Sequence, residues 1–520
     1  MAFDGIIGEI PLGIDGLTGN KNLSQLSIGS LLQADNISFE NGTLQKEGGA
    51  AKYNSSAITG APSIIGGHDW FPSSATQRMI VLTSGGKLLK DSGTAAFPVE
   101  LFTGLTVTDI APVFIDGGKE AATNNRKLFL FTKSNQVNVL SGDSATSAAM
   151  STPAADWTGS TFPITGCIHE GRLWAFMGHR AYYSTTTDHE NFTGATSGSL
   201  NVYPGEGEEI RAALSFKGLI IIWKYPRGIF LIDTSDPDTT KWRVIKHSEK
   251  IGSPGPQCAV PIDDDIVFLD TGGNIHLISA ITEFGNLGGR SLSKIQRIDV
   301  KIRDEYEVSR LWNARGVFYT TKNELHFSCS ALNSTTNDRR LVIDLNRQDV
   351  VRFRESTRDT LESLWIRQDA DNIPSLVGGD NVGFVWELDQ TTKSKDGSGY
   401  ASVFQTPYLD LGHIDPALTF VEKSGAFLEI VSEPKGQYDL AIDVYWDEVL
   451  YETITFNLGA QGGTLGSFIL GTDTLGGQKI EHLKKPLQGM GKRVSFAGRQ
   501  SGADQDFSIG KMYIHFTKGP

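Results

Sequence analysis

The chain has 520 residues, 39% hydrophobic and 21% charged, which excludes a disordered polypeptide and sets an expectation of two or three domains. The formal net charge of -13 argues against general affinity for nucleic-acid phosphates. No stretch approaches the ~20 apolar residues that span a bilayer, and the three cysteines (Cys167, Cys258 and Cys329) are too dispersed for a metal pair and odd in number, so buried structural thiols are expected.

The first residues, "MAFDGIIGEIPLG", carry two acids and no basic residue ahead of the apolar run, so no secretory signal is read there and folding in a cytosol is expected. Next comes "SQLSIGSLLQADN" (Ser24 to Asn36), the best helical candidate. "NISFENGTLQKEGGAAKY" (Asn36 to Tyr53) reads as a hairpin with an Asn41-Gly42 turn. A second helical candidate is "SLSKIQRIDVKIRDEYEVS" (Ser291 to Ser309). Elsewhere the pattern is short apolar runs bounded by Gly, Asn, Asp or Ser. That predicts an all-β chain, and the 58 glycines fit many turns.

The runs recur. Units begin with "RMIVLTSGGKLLKDS" at Arg78, "RKLFLFTKSNQVNVLS" at Arg126, "GRLWAFMGHRAYYSTT" at Gly171 and "KGLIIIWKYPRGIFLID" at Lys217. They continue with "DDIVFLDTGGNIHLIS" at Asp264 and "RGVFYTTKNELHFSCS" at Arg315, the latter extending through "RRLVIDLNRQDVVRFRE". A weaker one, "IPSLVGGDNVGFVWELD", starts at Ile373. The spacing suits propeller blades, whose strands are apolar on both faces because each face meets a neighbouring blade. A β-propeller of six or seven blades is predicted, with the Asn36 to Tyr53 hairpin placed to pair with the last blade and close the ring.

A polar stretch, "QTTKSKDGSGYAS" (Gln390 to Ser402), reads as a linker. The alternating strands beyond it predict a C-terminal β-sandwich. The domain reading is therefore 1–55 as N-terminal arm and closing hairpin, 56–392 as β-propeller and 393–520 as β-sandwich platform. The arm residues Phe3, Ile6, Ile7 and Ile10 find no partner in any unit. They are the interface candidates, free to meet the propeller, a neighbouring subunit or another protein.

Catalytic, cofactor and metal motifs are not found. "GTDTLGGQK" (Gly471 to Lys479) lacks the phosphate-loop order. Asp263, Asp264 and Asp265 are adjacent and point to different sides, which suits a polar turn better than calcium. The stretch "HEGRLWAFMGHRAYYSTTTDHENF" (His169 to Phe192) is the densest in polar groups. Its histidines (His169, His179 and His189) flank a predicted hairpin and do not focus on one point as zinc requires. Asp188 and Glu190 follow a strand end. A carboxylate pair there would suit a glycosidase or lyase, but the repeated S-x-D-x-G-x-x-W turns of sialidases are absent from the sequence.

Four places resemble the tail nozzle (tail tubular or tail stabilisation) proteins of short-tailed bacteriophages. In "LLQADNISFENGTLQKEGG" the matching residues are Ala34, Asn36, Phe39, Asn41, Gly42, Leu44 and Gly49. The usual Arg-Pro-Gly at its end is Glu47-Gly48-Gly49 here. In the His169 to Phe192 stretch they are Arg172, Leu173, Trp174, Tyr182, Ser184, Asp188, Asn191 and Phe192. "DDIVFLDTGGNIHLIS" and the tail segments "LGSFILGTDTLGG" and "GKRVSFAGRQSGADQDFSIGKMYIHF" complete the resemblance.

That resemblance implies a structural protein of the virion tail and no enzyme. It implies a homo-oligomeric, typically hexameric ring below the adaptor, or head-to-tail connector, with tail fibres or spikes as further partners. Genomic DNA would pass the lumen without specific binding, and no direct membrane insertion is expected. Assembly would take place in the host cytoplasm. The alternatives are a carbohydrate-active or a protein-binding β-propeller.

Overall fold

The computed structural model describes residues 5–19, 26–108, 110–119, 126–159, 161–204, 208–279, 292–347, 351–369, 371–459 and 480–519. It is an all-β chain built on a β-propeller. Four blades follow in chain order as four-stranded antiparallel meanders, over 64–102, 113–149, 165–201 and 209–248. Blade five has three strands, Ala259–Ile262, Asp265–Leu269 and Ile275–Leu277. A closing blade combines Leu361–Gln368, Pro374–Asp380 and Val385–Gln390 with Gly49–Lys52 from the N-terminal region.

These six blades are sheets of their own. Between blade five and the closing blade the ring holds a bridging unit, Arg315–Tyr319, Glu324–Cys329, Arg339–Asp344 and Arg352–Ser356. Its sheet does not end there. It continues through Gln33–Asp35, Ser402–Gln405, Val494–Gln500, Asp439–Trp446 and Val449–Asn457 into one nine-stranded sheet.

The apolar strands show why the blades stack. In Leu219–Tyr225, Ile220 and Ile222 join the cluster holding Trp174 and Phe176 of blade three. Ile221 and Trp223 join Ile266 and Phe268 of blade five. A strand buried on both faces is stable only between two neighbours. Inner strands approach closely. A Cβ at Gly316 would lie 2.5 Å from Val260 of blade five, so a side chain there would separate the two sheets. The ring closes where Ser363 Oγ donates to Ile64 O at 2.7 Å and Gln368 N donates to Asp69 Oδ2 at 2.9 Å.

The second unit has a seven-stranded sheet. Its path is Glu481–Pro486, Lys423–Ser432, Ser508–Lys518, Leu44–Lys46 and Ile37–Ser38, with Ile6–Ile10 on Ser508–Lys518 and Met490–Gly491 on Lys423–Ser432. Leu428, Ile430, Ile514 and Phe516 of this sheet share one apolar cluster with Phe404, Ile442, Val444 and Phe496 of the nine-stranded sheet.

Two expectations change. Ser24 to Asn36 is not a helix where described: Ser30–Leu31 and Gln33–Asp35 are strands. Leu31 and Ala34 are buried, and Gln33–Asp35 lies between two strands of the nine-stranded sheet, so sheet pairing overrides local helical spacing. The Asn36 to Tyr53 hairpin divides: Gly49–Lys52 pairs with the closing blade, while Ile37–Ser38 and Leu44–Lys46 join the other unit around a 3-10 turn at Glu40–Gly42. The second helical candidate does form helices, Leu292–Ile295 and Ile298–Glu305, followed by a 3-10 segment at Val308–Asn313. No helix among the described residues is long and apolar enough to cross a membrane.

Candidate functional site

The interior of the bridging unit is charged. Arg352 and Arg354 alternate along one strand, and Glu324 and His326 along another, all facing inward at a strand's two-residue period. Buried charges need partners, and here they come from distant parts of the chain. Glu47, between the strands Leu44–Lys46 and Gly49–Lys52, accepts from Arg340 Nη2 at 2.9 Å and Arg354 Nη1 at 2.8 Å through one oxygen, Oε1. Arg354 Nη2 reaches both oxygens of Glu324, at 2.9 and 2.8 Å. Arg358 pairs with Asp359 at 2.7 Å and donates to Gly48 O. Lys395, from the linker, donates to Arg358 O at 3.0 Å. The Tyr400 hydroxyl donates to Glu47 O, and its ring lies under the Arg358 guanidinium.

The electrostatics follow from burial opposed by pairing. Burial disfavours the Glu47 carboxylate, yet Arg340, Arg358 and Arg354 outweigh it and hold it well below the usual range. Glu324 is likewise opposed by burial and is carried down to about 2 by Arg354 and His326. His326 lies 3.3 Å from Glu324 Oε2. Burial dominates there and lowers its pKa to about 4, so it is neutral at pH 7. Lys46 is desolvated to about 8 while its Nζ donates to Gln500 Oε1 at 3.0 Å and Gly502 O at 2.8 Å.

Asn36 completes the junction. Its backbone is left-handed (φ 53°). Its Oδ1 accepts from Thr357 N at 2.9 Å and Ser356 Oγ at 3.2 Å, and its Nδ2 donates to Ala401 O at 2.7 Å. The propeller, the linker and the second unit thus meet at Asn36 to Glu47. Beside them opens a cleft of about 610 Å³, lined by charges of both signs including Glu40, Lys322, Asp344 and Arg352. The chemistry of this arrangement is cohesion: each carboxylate at its centre is engaged by arginine. One signal was available in the sequence, the arginines of "RRLVIDLNRQDVVRFRESTRD" recurring inside strands, where isolated buried charge is unstable.

The His169 to Phe192 stretch is a hairpin, Arg172–Met177 and Arg180–Tyr183, with a following loop. Its histidines go to three places. His169 is buried between Ser215 Oγ and Thr234 Oγ1, both at 2.8 Å. His179 is exposed in the turn. His189 ties Gly118 N at 3.1 Å to Gly171 O at 3.2 Å. Glu190 binds Lys127 at 2.6 Å and Ser151 N at 3.0 Å. Asn191 Oδ1 accepts from Gly194 N at 2.8 Å, and Arg172 donates to Ser184 O and Thr196 O.

Asp263 and Asp264 occupy a turn, and Asp265 starts the next strand. Among the described residues no group of three or more His, Cys, Asp or Glu is placed to hold a metal. Cys167, Cys258 and Cys329 are buried free thiols. Of the interface candidates, Ile10 is fully buried, Ile6 packs on the shared core and Ile7 is exposed. Phe3 lies outside the described residues, as do "GTDTLGGQK" and "LGSFILGTDTLGG".

Two bonds near the starts of the inner strands join units that are not adjacent in the ring. Gln257 Nε2, ahead of blade five, donates to Pro112 O, ahead of blade two, at 2.8 Å. Arg315 Nη2, from the bridging unit, donates to Ile65 O of blade one at 3.3 Å. Neither pair joins neighbours in the ring. Burial lowers the Arg315 guanidinium to about 10, against the pull of Glu362.

No protein-family model matches the chain, and no curated protein matches it. Among solved structures, the computationally designed Ika8 protein aligns at 11% identity over 64% of this chain and 98% of its own, with a TM-score of 0.36. BamB from Moraxella catarrhalis aligns at 13% identity over 66% of this chain and 97% of its own, with a TM-score of 0.36. BBS1N, from its complex with ARL6DN, aligns at 10% identity over 66% of this chain and 97% of its own, with a TM-score of 0.40.

Proposed function

We propose that this chain is a structural subunit of a bacteriophage tail nozzle. Copies form a ring, a hexamer by the sequence resemblance, below the adaptor that joins portal to tail. The ring retains the packaged genome and conducts it during ejection. In this reading the two-sheet unit is a β-sandwich platform, the other partners are tail fibres or spikes, and DNA passes without specific binding.

One observation carries the proposal. The segment that bears the opening resemblance, Leu31 to Gly49, is the segment that fastens the propeller to the second unit. Asn36 and Glu47 bind the bridging unit, Leu44–Lys46 enters the seven-stranded sheet, and Gly49 begins the strand of the closing blade. A subunit that must hold its shape against a pressurised genome needs such fastening. The resembling residues of blade three likewise serve its hairpin and loop. Because bonds join non-adjacent units of the ring, a conduit fits between copies better than through one propeller. The charge of -13 suits a lumen that repels phosphate.

The test is genetic and structural. Particles made by a short-tailed phage lacking this chain should show tails truncated below the adaptor and heads that lose DNA. Complete tails with normal DNA retention would overturn the proposal.

A further inference from the structure

The far end of the second unit exposes a group of large apolar side chains. The hairpin joining Asp439–Trp446 to Val449–Asn457 presents Val449 at 67%, Leu450 at 52% and Tyr451 at 57% exposure. Met490 is exposed by 51% and Phe420 by 85%. The backbone gathers them. Asp447, in the hairpin turn, accepts from Lys492 N and Arg493 N at 3.0 and 2.9 Å. A Cβ on Gly489, next to Met490 in the chain, would lie 3.0 Å from the Tyr451 ring, so this segment runs close to the hairpin. Ser424 pairs with Met490 and Lys423 with Gly491, and Phe420 lies just ahead of that strand. Five such side chains at one end make a patch of the kind that marks an interaction site, unlike apolar residues scattered singly.

The charges around the patch indicate what covers it. Glu422, Glu448, Lys485, Lys492 and Arg493 are exposed and Glu452 is half-buried. None of the six has an ion-pair partner among the described residues. Three are acidic and three basic, and Asp447 in the turn adds a fourth exposed acid, so charges of both signs lie here in near balance, in a chain of net charge -13. A strongly acidic or basic partner would leave half of these charges opposed to like charge. A second copy turned about a two-fold axis brings free acids and free bases of both copies into one contact, as a self-complementary patch does.

We propose that this end pairs two copies of the chain. Val449, Leu450, Tyr451, Met490 and Phe420 form the apolar centre, and the six unpaired charges form a rim of mutual ion pairs. The contact does not depend on the nozzle reading. It makes a pair, whereas a cyclic ring is built from head-to-tail contacts, so the two readings fail separately.

The experiment is sedimentation velocity of the purified full chain across a concentration series. A species of twice the chain mass is expected. Val449→Asp with Leu450→Asp should abolish it, with circular dichroism unchanged because both side chains are exposed. Glu422→Lys with Glu448→Lys, and separately Lys492→Glu with Arg493→Glu, should each weaken pairing at least about tenfold. Mixing these two charge-reversed proteins should restore it. A chain that stays monomeric overturns the proposal, as do pairs that survive the Asp substitutions. Charge-reversed proteins that fail to pair on mixing, while each alone is weakened, overturn the ionic rim.

Discussion

Blade three and the bridging unit are both rich in polar side chains, and they use them in opposite ways. In blade three each polar group serves its own loop or a neighbouring blade. Asn191 caps the loop that follows it, Glu190 holds Lys127, and His189 spans two blades. In the bridging unit the charges are sealed inside and join segments about 300 positions apart, as Glu47 does with Arg340 and Arg354. Where such polarity is exposed or half-exposed, as at His179 and His189, it tolerates loss because water can replace a partner. Sealed polarity does not, because a lost partner leaves a charge in a medium that cannot solvate it.

The sharpest way to break this contrast is Glu47→Ala. It strips the shared carboxylate from Arg340 and Arg354, both about 2% exposed. A cost of about 3–5 kcal/mol is expected, read as a lowered urea midpoint. A loss below about 1 kcal/mol would show that the cluster does not fasten the junction.

Acid should expose the same difference. An unfolded chain takes up the His326 proton near its ordinary value of 6.5, whereas the folded protein takes it up only near 4. Between these values the unfolded state binds more protons. Stability is therefore full above pH 6.5 and falls as the pH drops toward 4, by on the order of 3 kcal/mol at about 1.4 kcal/mol per pKa unit. Urea midpoints at pH 7.5 and 4.5 measure this, and His326→Phe should make the slope shallower, leaving the share of His169, His189 and His247, which burial also lowers. An unchanged slope in that variant would assign the acid sensitivity to other groups.

Asn36→Ala comes next in size. It removes the acceptor of the Thr357 amide and the donor to Ala401 O, at an expected cost of about 1–3 kcal/mol in the same unfolding assay. The left-handed backbone at this position adds to the loss.

What the sequence reveals follows the same division. The blades are legible because a strand such as Leu219–Tyr225 is apolar on both faces, a local pattern that a short window captures. The weak unit at Ile373 is equally real: it is two strands of the closing blade. The junction is not legible, because Gln33–Asp35 meets Glu355 and Val403 through long-range pairing that no local period encodes. The charged cluster left only a trace, arginines recurring within strands, and its acids lie far away in the chain. Conversely, the stretch with the most polar letters per residue proved to be ordinary scaffold geometry, since its three histidines go to a buried pair of hydroxyls, a solvent-exposed turn and a bridge between blades.

The smallest expected effects test that last point from the blade side. His189→Ala removes a side chain that links Gly118 N of blade two to Gly171 O of blade three, in a half-exposed position. Water can reach both groups, so about 1 kcal/mol is expected. His179→Ala removes an exposed side chain in the hairpin turn and should fall within about 0.5 kcal/mol of the parent. The two substitutions share a residue type and a blade and differ in whether the imidazole bridges two sheets. If His179→Ala costs as much as His189→Ala, the turn is engaged by a contact outside the monomer, and blade three would join the far end of the second unit as a surface used in assembly.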